Sequence, residues 1–196
     1  MQRLVPPLIP GPVRWLGALL VAPMLLCGCA QGRDLKPLPP VSAGVYRLEP
    51  GDVVRIITYG EDPLTGEFRV NDQGALALPL AGPVKAAGQT PRELEDAVAG
   101  ALKKGDMLRK PLVSVEVATY RPIYVLGEVN KPGQYPYQPG MTVVSAAAVA
   151  GGFTYRAVEG YASVVRLVDG DSVEGKAPRQ APVQPGDVIT VFERKF

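Results

Sequence analysis

Two aspartates stand in matching settings near opposite ends of the chain: Asp52 closes Glu49-Pro50-Gly51-Asp52 and Asp187 closes Gln184-Pro185-Gly186-Asp187, each followed at once by a β-rich run. A carboxylate pair could do acid–base chemistry. An Asp after Pro-Gly, however, commonly binds the amides of its own turn, and that structural reading is the stronger for both. A second acidic group, Asp169-Gly170-Asp171-Ser172-Val173-Glu174-Gly175, resembles a calcium loop in composition only. Val173 falls on the third ligand position, and Gln180 stands where the twelfth-position glutamate belongs, so the stretch reads as a solvated turn between strands. Lys103-Lys104 and Arg109-Lys110 could meet an anionic polymer, but a charged helix end accounts for them. Tyr120, Tyr124, Tyr135, Tyr137, Tyr155 and Tyr161 gather in the later part of the chain, where they could stack on sugars, fill a subunit interface or pack a core. There is no histidine, which excludes His-based triads, metal sites and proton shuttles. No nucleophile elbow, Walker phosphate loop or dinucleotide fingerprint is present, and no cofactor is implied. The inventory points to binding and assembly, not to catalysis.

The remaining reactive residues are two cysteines, Cys27 and Cys29, and they sit behind an apolar stretch, WLGALLVAPMLL, that follows Arg3 and Arg14. This order reads as a secretory signal. A membrane-spanning anchor is the alternative, but the apolar core is shorter than the roughly 20 residues needed to cross a bilayer, and Pro23 interrupts it. Leu26-Cys27-Gly28-Cys29 resembles a bacterial lipobox, in which a small residue precedes the cysteine that is acylated. Gly28 is small enough for the peptidase, so cleavage is expected between Gly28 and Cys29, with Cys29 lipidated. Cys29 would then be the only cysteine of the mature chain and would be consumed by the lipid. The several acyl chains of such an anchor hold a protein firmly where one would not. By the same resemblance Ala30, in the position where an aspartate favours inner-membrane retention, points to the outer membrane.

The sequence of 196 residues is 46% hydrophobic, enough for packed cores, and carries 21 basic against 19 acidic residues. Setting aside Arg3 and Arg14 leaves the mature chain neutral, without the basic field a nucleic-acid binder needs.

Several elements must position these groups. Residues 29–44, rich in Pro and short polar side chains, read as an extended tether between lipid and fold. Structure is expected to begin near Tyr46, with a strand, a Pro-Gly turn and a second strand. Gly66 to Val70 and Ala75 to Leu78 flank Asn71-Asp72-Gln73-Gly74 and predict a hairpin. Thr90-Pro91-Arg92-Glu93 supplies an N-cap, a first-position proline and a capping-box glutamate. The stripe Leu94, Ala97, Val98, Ala101 and Leu102 then predicts a helix packed on a sheet. Leu112 to Val117 alternates as a half-buried strand, and Tyr120-Arg121-Pro122 breaks it, marking a junction between units. Beyond it, residues 123–154 join a strand, turns at Pro132-Gly133 and Pro139-Gly140, and a small-residue helix ending at Gly151-Gly152. One helix among short strands predicts an α+β fold with a β-grasp second unit.

Taken together, these phrases resemble the outer-membrane polysaccharide export family. YRLEPGDVVRI, FRVNDQGALALPLAGPVKAAGQT and TPRELEDAVAGAL are similar to its export domain, and YVLGEVNKPGQY with AVAGGFT to the soluble-ligand-binding β-grasp (SLBB) domain that follows. The resemblance divides the chain into a signal peptide (residues 1–28), the tether (29–44), an export domain of strands plus one helix (45–119) and an SLBB-type β-grasp domain (120–196). It implies a homo-oligomeric ring, lipid-held at the outer membrane and facing the periplasm, that passes a polysaccharide chain without catalysis. The partners implied are an inner-membrane polysaccharide co-polymerase and, because no amphipathic helix follows the last strand, a separate outer-membrane pore protein. The alternative is a monomeric lipoprotein that binds a small soluble ligand or cell-wall glycan. The Cys29→Ala chain is expected to fold normally yet leave the membrane fraction for the soluble one, and continued need for detergent to extract it would contradict the anchor.

Overall fold

The computed structural model describes residues 32, 34–40, 45–105, 108–168 and 170–195; Gly28 and Cys29 lie outside them. Alternation in VVRIIT puts Val54, Ile56 and Thr58 on the buried face of β1 (Val53–Thr58). This strand lies between β2 (Gly66–Arg69) and β5 (Val113–Thr119), antiparallel to both. A separate two-stranded ladder joins β3 (Ala75–Leu78) to β4 (Gly82–Lys85). Helix α1 (Pro91–Lys104) begins at the expected capping box: the Glu93 amide donates to Thr90 Oγ1 at 3.2 Å and the Thr90 amide donates to Glu93 Oε2 at 2.8 Å. Its predicted stripe is the packed one, with Leu94, Val98 and Leu102 buried and Ala97 and Ala101 against the same core. Each of the three large side chains contributes about 1.5–3 kcal/mol by leaving water.

A second core lies around the sheet β7-β6-β10-β8-β9. Its strands are β6 (Ile123–Gly127), β7 (Gly133–Tyr135), β8 (Tyr161–Val168), β9 (Asp171–Pro178) and β10 (Val188–Val191). The central pair β10–β6 is parallel and every other ladder antiparallel. This sheet closes over one short helix, α2 (Val143–Val149), as a β-grasp does, so the fold is α+β as expected. Small residues let the helix lie close: Ala146, Ala147 and Ala150 are all 0% exposed. Gly151 and Gly152, both at positive φ, end α2 in a Schellman arrangement, with their amides donating to the Ala148 and Ala147 carbonyls.

Three local expectations need correction. The Asn71 turn forms, with Gly74 at φ 75°, but the strands on either side do not pair with each other. Instead the Gly74 carbonyl accepts from the Ala86 and Ala87 amides, which draws β3 onto β4 and turns the chain from one ladder to the other. Pro132-Gly133 is not a tight turn; Gly133 is extended and pairs with Val125. The reversal falls earlier, at Gly127, where φ is 80° and a Cβ would overlap the Val191 carbonyl oxygen. Asp171 to Gly175 is not loop but part of β9, and only the tip around Gly170 is a turn.

The described part of the predicted tether, residues 32 and 34–40, is not independent of the fold. The Leu38 amide donates to the Lys176 carbonyl at 2.9 Å and the Lys176 amide donates to the Lys36 carbonyl at 2.8 Å, so residues 36–38 run along the outer edge of β9. An open strand edge presents unpaired amides and carbonyls, and the nearby chain satisfies them. No helix among the described residues is long and apolar enough to cross a membrane.

Gly127→Ala combines a positive φ with backbone overlap and is expected to lower stability by about 2–4 kcal/mol in urea unfolding. Gly60, at φ 81° with nothing within 4 Å of an added Cβ, is the control. Gly60→Ala meets only the backbone term, about 1–2 kcal/mol.

Candidate functional site

The two Pro-Gly-Asp turns do more than start strands: they close on the same residue, Arg121. In the first turn the Asp52 amide donates to the Glu49 carbonyl at 3.1 Å, Gly51 takes φ 99°, and the Glu49 amide donates to Asp52 Oδ2 at 2.9 Å. The second repeats it: the Asp187 amide donates to the Gln184 carbonyl at 3.1 Å, Gly186 takes φ 88°, and the Gln184 amide donates to Asp187 Oδ2 at 2.7 Å. Arg121 fits against both glycines. A Cβ on Gly51 would lie 3.3 Å from Arg121 Cγ, and one on Gly186 would lie 3.2 Å from Arg121 Nη1. The linker backbone is held as well, since the Arg121 amide donates to Asp52 Oδ1 at 3.1 Å and the Gly186 amide donates to the Pro122 carbonyl at 3.1 Å.

Each turn carries an arginine–carboxylate contact. Arg121 Nη1 meets Glu49 Oε2 at 2.5 Å, while its Nε lies 3.5 Å from Asp52 Oδ1, an ionic contact without hydrogen-bond geometry. Burial alone would lower the Arg121 pKa, but Glu49, Tyr46 and Asp52 outweigh it and the net shift is upward. Tyr46 donates its hydroxyl to Asp52 Oδ2 at 2.6 Å. Burial first, and then this hydrogen bond, push the Tyr46 phenol well above its ordinary value. A phenol shifted upward on folding contributes its full stabilisation below its unfolded pKa and loses it only in strong base. At the second turn Arg166 forms a two-pronged pair with Asp187, Nε to Oδ1 at 2.9 Å and Nη2 to Oδ2 at 2.6 Å. Arg166 and Asp187 are 5% and 1% exposed, so this pair is fully interior.

Neither aspartate is poised for proton transfer, because both oxygens of each already accept hydrogen bonds from these structural partners. The turn reading therefore holds for both. Around them opens a cleft of about 560 Å³ between the two cores. Pro39 and Pro40 of the N-terminal segment, Tyr46, Arg121, Tyr137 and Leu167 are among its walls. Tyr46, Tyr120 and Tyr137 form an edge-to-face series across the junction, with ring centroids 5.0 and 5.4 Å apart. Aromatic pairs in this geometry add about 0.5–1.5 kcal/mol each beyond burial. The arrangement joins one unit to the other through hydrogen bonds, ion pairs and ring contacts.

The other sequence candidates scatter. Lys103 and Lys104 end α1 as a charged last turn. Tyr161 packs beside Phe192 under the Lys176 ammonium, and the Tyr135 hydroxyl donates to the Lys131 carbonyl. Glu174 accepts from Ser163 at 2.6 Å, and no group of three or more metal-ligating side chains occurs among the described residues. What sequence reasoning missed was the pair of arginines. Arg121 carried one signal, its place before Pro122 at the junction, whereas Arg166 lies in an apolar strand with nothing local to mark it.

Comparison with known proteins gives a consistent picture. The profile of the polysaccharide biosynthesis/export protein family matches residues 40–118, and that of the SLBB domain matches residues 122–177. The exopolysaccharide production protein ExoF of Rhizobium meliloti (strain 1021) is 41% identical over 90 residues, 45% of this chain and 21% of that protein. The EPS I polysaccharide export outer membrane protein EpsA of Ralstonia solanacearum is 30% identical over 158 residues, 74% of this chain and 41% of that protein. The polysialic acid transport protein KpsD of Escherichia coli is 29% identical over 111 residues, 55% of this chain and 19% of that protein. The matched regions thus span between about a fifth and two-fifths of these curated relatives.

The two arginines are expected to differ in weight. Arg166→Met strips Asp187 of both side-chain bonds in the interior and is expected to lower stability by about 3–5 kcal/mol. Arg121→Met leaves Asp52 its bonds from Tyr46, Glu49 and the linker amide, and should lower it by about 1–2 kcal/mol. Urea unfolding of the two variants checks the order, and an Arg121 loss equal to the Arg166 loss would contradict it.

Proposed function

Because the chain belongs to the polysaccharide export family, with its biosynthesis/export domain followed by an SLBB domain, we propose that it is a lipid-anchored component of an exopolysaccharide or capsule export machine. In this reading residues 45–119 are the export unit and 120–196 the SLBB unit. Lipid on Cys29 holds the protein at the outer membrane, facing the periplasm. Identical subunits form a ring that conducts the polymer without catalysis, in line with an inner-membrane co-polymerase.

The observation that carries the proposal is the pairing of the two domain types in one chain with their junction locked at Arg121. A conduit must keep its parts in fixed orientation while a polymer slides past. The joint supplies that rigidity through two type II turns, an ion-pair cluster and a run of tyrosines. Both oxygens of Asp52 and of Asp187 are engaged in holding it.

Deleting the gene and measuring polymer in the culture medium tests the role: secretion is expected to collapse, and unchanged secretion would sink the reading. Native mass spectrometry of the detergent-extracted protein should then show a closed oligomer, whereas a monomer would favour a lipoprotein that binds a small ligand or glycan.

A further inference from the structure

Among the described residues before Pro39, Gly32 and residues 36–38 touch the second unit at successive points. At Gly32, φ is 76° and the Phe192 ring occupies the space a Cβ would need. Residues 36–38 pair with β9 at Lys176. Gly175 makes that contact possible: a Cβ there would lie 2.5 Å from Leu38 Cα and 2.8 Å from its amide nitrogen. Leu38 also packs against the second core. Only then does the chain pass along the cleft at Pro39 and Pro40 and enter the first unit.

These contacts change where an anchor at Cys29 would pull. Seventeen residue steps separate Cys29 from Tyr46, a reach of about 60 Å if the segment were loose. Three steps separate Cys29 from Gly32, a reach of at most about 11 Å. The docked strap therefore moves the point of attachment from the first unit to the second and brings the Phe192 end of β10 close to the lipid.

The surface beside Phe192 suits a bilayer interface. Residues 155–158 lie along the chain after β10, with the Arg194 amide donating to the Arg156 carbonyl at 2.7 Å and the Val158 amide donating to the Phe192 carbonyl at 2.8 Å. Tyr155 is 84% exposed there, an aromatic side chain with a polar tip of the kind enriched at headgroup level. Arg156 follows Tyr155 in the chain, and the Arg194 amide bond to the Arg156 carbonyl brings Arg194 and Lys195 to the same end of the sheet; Arg156 is paired with Glu193, and Arg194 donates to the Ala157 carbonyl. Arg194 and Lys195 are exposed.

Resting on the lipid anchor proposed above, we infer that the strap seats the second unit on the membrane, with Tyr155, Arg194 and Lys195 meeting the headgroups of anionic phospholipids. The patch is an interaction surface for lipid, and the strap is what orients it.

The single tryptophan, Trp15, precedes Cys29, so the lipidated chain cleaved there offers a clean background for a reporter. Lipidated Tyr155→Trp protein is placed in phosphatidylethanolamine vesicles containing brominated phosphatidylglycerol. The same is done with Tyr59→Trp, whose site is 66% exposed in the first unit just after β1. Quenching severalfold stronger for Tyr155→Trp is expected, and equal or weaker quenching than for Tyr59→Trp would overturn the orientation while leaving the anchor standing. A protein that does not float with the vesicles would overturn the anchor and, with it, this inference. Adding Gly175→Val, which evicts the strap by overlap, or Leu38→Pro, which removes the amide donated to Lys176 and the Leu38 side-chain packing while leaving every sheet residue as it is, should lower the Tyr155→Trp quenching while flotation persists. Unchanged quenching in the Leu38→Pro protein would overturn the strap's role.

Discussion

The structure turns on one residue gripped from two sides. Arg121 stands between two separate clusters of buried residues, one in each unit. Their relation is set by the Pro-Gly-Asp turn that starts β1 and the one that starts β10, both of which place a glycine against the Arg121 side chain. A side chain at either glycine would press on that arginine, and the positive φ that each turn needs is itself a glycine conformation. Backbone geometry and charge pairing thus demand the same residues at the same place.

The two aspartates show how one local motif serves different ends. Each caps its own turn, and each then uses its remaining hydrogen-bonding capacity on something distant. Asp52 takes Tyr46 and the linker amide, and so binds the units together. Asp187 takes Arg166, and so fills the interior of the second unit with a satisfied ion pair. A buried charge is tolerated only when paired and hydrogen-bonded, and the turn amides supply part of that satisfaction before any long-range partner arrives. In both turns the two oxygens of the aspartate are taken up by these structural partners.

The segment before the folded units follows the same economy. A proline-rich stretch has little reason to fold alone, but the open edge of β9 gives it a partner for its amides and carbonyls. The absence of a side chain at Gly175 leaves the room that Leu38 needs. Within what composition describes as a spacer, residues 36–38 bridge to the edge of β9 and Pro39 and Pro40 form part of the cleft wall.

Local sequence by itself determined the elements whose causes are local. The Thr90 capping box, the Leu94 to Leu102 stripe, the Gly-Gly end of α2 and the type II turns at Gly51, Gly140 and Gly186 all depend on residues within a turn or two of one another. The α+β class followed from them, as did both strands that begin after a Pro-Gly-Asp turn. Tertiary structure alone decided which strands pair and which side chains meet. Gly74 promised a hairpin, yet the amides of Ala86 and Ala87 drew β3 to β4. Gly127 carried no turn signature, because what demands a glycine there is the Val191 carbonyl, 64 positions away in the chain. Arg121 is marked in the sequence only by the proline after it and Arg166 by nothing nearby, and their partners at Glu49 and Asp187 lie 72 and 21 residues distant. Hydrogen bonds and ion pairs act over a few ångströms in space whatever the separation in sequence, so the joint became visible only once the two turns had been folded around it.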